Sequence, residues 1–98
     1  MTATQPTPSI TPKFPLGQVV TTPNALEQIP PDDVLKALSR HVRGDWGTLA
    51  AADWKANDDA LKYGERLFSS YRSVANVKFW VITEADRSVT TILLPEDY

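Results

Sequence analysis

In the stretch DWKANDD, Asp53 and Asn57 stand four residues apart, so a helix would present both on one face, with Asp58 and Asp59 following. Carboxylates and an amide so placed are ligands for a divalent cation. A metal-dependent nuclease or hydrolase would need further acids, and Glu84 and Asp86 near the end of the chain are the candidates. His41 is the single histidine and could serve as general base, since imidazole alone titrates near neutral pH. Against this stands a plainer set of roles. Nothing in the spacing brings these groups together. The acids read as solvated, Asn57 as tying down the neighbouring RGDWG turn, and His41 as bonding across a helix pair to Asp45 or Asn57. No glycine-flanked serine, Ser-x-x-Lys motif or glycine-rich phosphate loop occurs. The expectation is therefore a protein without catalytic residues, bound metal or cofactor, with a small metal-dependent nucleic-acid enzyme as the alternative.

The same stretches supply recognition groups. In RGDWG, Arg43–Asp45 spells an integrin-type tripeptide, but the run reads as a helix stop at Gly44 followed by a tight turn through Asp45 and Trp46. A tryptophan on such a turn is a common anchor at protein interfaces. Asp45, Trp46, Asp53, Asn57, Asp58, Trp80, Asp86 and Arg87 are the candidate partner-binding residues. A direct nucleic-acid binder would instead gather Lys55, Arg66, Arg72 and Lys78 on one face, beside aromatic rings.

The elements that must position these groups follow from the pattern. The 98 residues make one domain, 42% hydrophobic and 22% charged, with formal net charge −2 and no cysteine. That excludes disulfides and thiolate metal sites, and makes nucleic acid an unexpected partner while leaving room for a local basic patch. No apolar run approaches the roughly 20 residues of a membrane span, and the start lacks a signal-peptide pattern. A cytoplasmic protein is expected. Residues 1–13 read as a flexible tail and residues 14–98 as a single domain.

GQVVTT reads as a short strand, and PNALEQI as a helical turn capped by Asn24. PPDDVLKALSRHVRG is a helix begun by Pro31 and stopped at Gly44, with Val34, Leu35, Leu38 and Val42 as its stripe. A second helix is expected from Leu49 to Tyr63, with a stripe of Ala50, Trp54, Asn57 or Asp58, and Leu61. RLFSSYR, VKFWVITE and SVTTILLP read as strands joined by short hairpin loops. A three-residue last loop, Ala85–Arg87, would set Glu84 opposite Ser88 and Trp80 opposite Ile92. A four-residue loop, Ala85–Ser88, would set Trp80 opposite Leu93. The shorter loop is preferred because it pairs Glu84 with a polar residue. Val77, Phe79, Val81, Thr83, Val89, Thr91 and Leu93 would then face the core, and Trp80, Ile82, Ile92 and Leu94 the outside. The fold class expected is α+β, two main helices packed on one face of a small antiparallel sheet.

FPLGQVVTTPNALEQI, LSRHVRGDWGTL, DWKANDDALKYGERLFSSYR and KFWVITEADRSVTTILLPEDY together resemble a family of small bacterial proteins carried by plasmids, integrative elements and phages. Some members are labelled as restriction–modification subunits, yet the chain has no Asn-Pro-Pro-aromatic motif for methyl transfer. The resemblance implies mobile DNA and an accessory gene; an acidic small chain without catalytic equipment then suits a protein that binds a partner, such as a host-defence or DNA-processing component. The apolar outer sheet face would be covered by the N-terminal strand and tail or, in a homodimer, by a second copy.

Overall fold

The computed structural model describes residues 12–98, so most of the tail expected over residues 1–13 lies outside the described residues. The elements are β1 (Gln18–Thr21), α1 (Pro23–Gln28), α2 (Pro31–Val42), α3 (Ala51–Tyr63), β2 (Leu67–Arg72), β3 (Lys78–Thr83), β4 (Val89–Leu93) and a closing 3-10 turn, Pro95–Asp97. The chain is α+β, as expected. Its sheet has the order β1-β4-β3-β2. The last three strands are antiparallel, as short hairpins require, and β1 joins β4 in parallel, making the sheet mixed.

Local chemistry sets the helix limits. Pro31 opens α2, Asp32 and Asp33 occupy its first turn, and Gly44 takes the left-handed conformation beyond its end (φ 81°). Gly64 stops α3 in the same way (φ 72°). α1 differs from expectation at its cap. Thr22, not Asn24, accepts the Ala25 N–H at 3.2 Å, because Pro23 takes the first helical position and puts the cap two residues earlier. Asn24 donates to Asp97 instead.

The α2 stripe is also rotated from the expected one. Ala37 and His41 are its buried centre, Val34 and Leu38 flank it, and Leu35 is 65% exposed. α1 and α2 cover the sheet face formed by Tyr71, Phe79, Val81, Ile92 and Leu94. α3 lies at the β2 edge, where Ala60 packs with Leu67, Trp46 and Phe14 in a second cluster.

The last hairpin takes the four-residue loop, contrary to the preferred register. Trp80 pairs with Leu93, Val81 with Ile92 and Thr83 with Thr90. Because side chains alternate, this one-residue slip turns Thr90, Ile92 and Leu94 inward and Val89, Thr91 and Leu93 outward. Two interactions fix it. Thr83 and Thr90 share a buried hydroxyl bond of 2.7 Å, and the loop closes on itself. In the loop Asp86 Oδ1 accepts the Ser88 N–H at 3.0 Å, and Arg87 takes a positive φ of 62°. Glu84 is no constraint, since it turns to Arg66 at 3.5 Å.

Candidate functional site

Around α2's last turn the chain assembles the side chains that most resemble a catalytic set. His41 is fully buried. Its Nδ1 lies 2.6 Å from the Ser69 hydroxyl and its Nε2 2.8 Å from that of Thr83. Thr90 completes the chain by donating to the Leu16 carbonyl at 2.7 Å. That carbonyl can only accept, which fixes the protons of both threonines and of Nε2. Thr90 spends its hydrogen on Leu16, Thr83 spends its own on Thr90, and His41 must donate from Nε2. Ser69 donates to the bare Nδ1. Burial holds the imidazole pKa down to about 3, so the ring is neutral, with its proton on Nε2. Ser69 is as inaccessible as the ring, so this serine–histidine pair meets no substrate. It is a satisfied polar core, and not the expected link to Asp45 or Asn57.

Trp46 forms the roof. The sequence marks it as a partner-contacting anchor, but the indole is fully buried, edge-on to His41 at 5.5 Å and stacked near Phe14 at 6.3 Å. Asp58 accepts its Nε1–H at 2.9 Å. Trp46 therefore has no surface to offer a partner, and Asp58, exposed as expected, also holds the turn. The turn backbone adds to β2: Ser70 N–H donates to the Trp46 carbonyl and Thr48 N–H to the Ser70 carbonyl, at 3.1 and 2.7 Å. Gly47 sits between them at φ 79°, where a Cβ would run into the Ser70 carbonyl.

Asp45 is half-exposed and bound on both oxygens. Arg40 Nε and Nη2 donate to it at 2.8 and 3.1 Å, and Gly47 N–H at 3.2 Å. The guanidinium beside it holds its carboxyl below the usual range, and the same bond raises Arg40. Arg40 also lies over the Tyr71 ring at 4.7 Å, while Tyr71 donates its phenol to the Asp45 carbonyl at 2.6 Å.

The remaining candidates disperse. Asn57 does not hold the RGDWG turn; its side chain clamps the Phe68 N–H and carbonyl at the β2 edge. A polar residue interrupts α3's buried line because it replaces the missing strand partner there. Asp53 is exposed on α3's first turn, beside Asn57 in a shallow groove of about 300 Å³ that Phe68 also lines. Asp86 caps its own loop, which lowers its pKa through the Ser88 hydroxyl. Arg87 turns to α3 and donates to the Glu65 and Ala60 carbonyls. Trp80 lies on the outer sheet face, 4.9 Å from Phe68 and 5.9 Å from Tyr98. Among the described residues no three acidic or histidine side chains gather in a metal-binding arrangement. Asp53, Asn57, Asp58, Glu84, Asp86 and His41 are not brought together.

What residue chemistry did not flag is an apolar edge. Val19, Val20, Leu26 and Leu35 are all exposed, Leu26 at 72%. Between α1 and α2, next to the outermost strand β1, a groove of about 270 Å³ is lined by Thr21, Leu26, Ile29, Pro31, Val34 and Leu35. The signal was present in QVVT, a β-branched strand with no charge to guard its edge. No helix among the described residues is long and apolar enough to cross a membrane. Compared with protein-family models, curated proteins and solved structures, the chain matches none.

Proposed function

We propose that the protein is a non-enzymatic binding domain that takes an extended segment of a partner protein along β1 and into the α1–α2 groove. One observation carries this reading: Val19, Val20, Leu26 and Leu35 are exposed on β1 and the helices beside it, at a sheet edge with no strand next to it among the described residues. Alternation turns the N–H and C=O groups of Val19 and Thr21 away from β4, toward an added strand. Side chains of that strand at alternate positions would enter the groove, the usual division between main-chain affinity and pocket specificity.

The charges nearby define the partner further. β1 and α1 contain no basic residue, and Glu27 and Asp32 adjoin the groove in the chain. A basic segment with spaced apolar side chains fits, whereas a second copy would bring the same acids face to face. In the mobile-element setting that the resemblance implies, the partner would be a host-defence or DNA-processing component.

The test is selection from a random peptide library by the folded protein, followed by titration of the enriched sequences against Leu26→Lys and Leu35→Lys. Both positions are exposed, so both variants fold. Enriched peptides should be basic with alternating apolar residues, bind at least about tenfold more weakly to either variant, and shift the Val19 and Thr21 amides in NMR spectra. Failure to enrich any peptide, or equal binding to the variants, overturns the reading. Concentration-dependent self-association lost in the variants would make a second copy the occupant.

A further inference from the structure

The outer face of the sheet has a composition unlike the rest of this acidic chain. The β2–β3 register places Arg72 directly opposite Lys78, and Ser70 opposite Trp80. Alternation then carries Phe68 and Arg66 onto the same face. Like charges placed opposite each other across strands oppose pairing. Neither has an acidic partner among the described residues: Arg72 donates only to the Asn76 carbonyl at 3.3 Å, and Lys78 forms no ion pair. Both side chains stand in solvent.

Aromatic rings continue the row. Trp80 meets Phe68 on one side and Tyr98 on the other. Arg66 lies 5.7 Å from the Tyr98 ring centre and donates to its phenol oxygen at 2.9 Å. Tyr98 is 71% exposed. Of the nearby acids, Glu84 is spent on Arg66, while Asp97 accepts from Thr22, Asn24 and the Leu94 N–H. Arg66 and Arg72, six residues apart along extended chain, thus bracket the rings over roughly 20 Å.

We infer that this face binds single-stranded nucleic acid, with bases stacked on Trp80 and Tyr98 and phosphates met by Arg66, Arg72 and Lys78. Charge complementarity selects an anionic ligand, and the rings select one with flat apolar faces. Rings stack on the flat faces of bases, which a duplex hides in its own stack, so the bases must already be unpaired. Three of the four cations that a direct nucleic-acid binder would gather share this face; Lys55 lies on α3, next to Asp59. The site is separate from the β1 edge, so either can fail alone.

The full chain is titrated with fluorescently labelled oligo-dT and oligo-rU of about 12 nucleotides at about 50 mM salt, read by anisotropy. The expected result is binding that weakens as salt rises and quenches tryptophan emission. It should fall about tenfold or more in Arg72→Glu/Lys78→Glu and about fivefold or more in Tyr98→Ala. All three positions are exposed, and the double variant exchanges one like-charge pair for another, so folding is retained; circular dichroism checks it. A Trp80→Phe variant should keep most of the affinity and lose most of the quench. No binding overturns the inference, as does binding unchanged in the variants. Equal affinity for duplex DNA, heparin or anionic lipid vesicles also overturns it, leaving a general polyanion patch.

Discussion

The hub around His41 and the edge along β1 are opposite solutions to placing side chains. In the hub, an imidazole, three hydroxyls, an indole and a carboxylate all find partners, and among the described residues no buried side-chain polar atom is left without one. At the edge, valines and leucines remain in water beside backbone with no strand partner among the described residues. The groups with the most reactive chemistry are those with the least access, and the inert ones are those on offer. Residue type shows what a group could do; burial decides whether anything can reach it.

Truncation tests the contrast most severely. Trp46→Ala removes the roof of the hub and its bond to Asp58; it should cost about 3–5 kcal/mol, read as a shift in urea midpoint. A loss under about 1 kcal/mol would mean that the indole is not packed as described.

The next effect is a dependence on pH. His41 ionises near 6.5 in an unfolded chain and near 3 in the folded one. Below pH 6.5 the unfolded chain takes up a proton that the folded chain refuses. Stability is therefore full above that value and lost as pH falls toward 3. Between pH 6.5 and 5 the loss should be about 2 kcal/mol. His41→Gln, weaker at pH 7, should be nearly flat over the same interval. Parallel slopes for the two proteins would show that the imidazole is not buried neutral.

Smaller still is Asp45→Asn. It removes the pairing with Arg40, but both side chains are partly in water, so about 1 kcal/mol or less is expected, shrinking with added salt. Leu35→Lys closes the series, within about 0.5 kcal/mol of wild type in stability yet deficient in peptide binding. That separation is the sharpest form of the contrast between hub and edge.

Local chemistry made much of the fold legible. Pro31, Gly44 and Gly64 set the ends of α2 and α3, and alternation revealed β2 to β4. The errors arose where a distant residue decides. The hairpin register depends on a hydroxyl pair that meets His41 from another element, so Glu84's neighbour was a poor guide. Trp46 looked free because Asp58, Phe14 and Ser70, which bury and bond it, come from three other segments. Leu35 looked buried because a stripe drawn on one helix does not show which sector meets the sheet. The Asp86-x-Ser88 spacing was a readable turn signal that would have favoured the longer loop.

α3 is fastened by an unusual kind of attachment. Only Asn57 and Ala60 are buried along it, and three polar grips reach it from different parts of the chain: Asn57 to Phe68, Asp58 to Trp46, and Arg87 to the carbonyls at its end. Polar bonds of this kind hold position while they last, yet each contributes little net free energy against water. Such a helix should detach as a unit while the sheet stays intact, a partial opening lower in free energy than global unfolding. Its amides should exchange with deuterium well before those of Phe79–Ile82. In the opened form the edge of β2 would be bare at Phe68, giving the molecule a second unguarded strand for a fraction of its time.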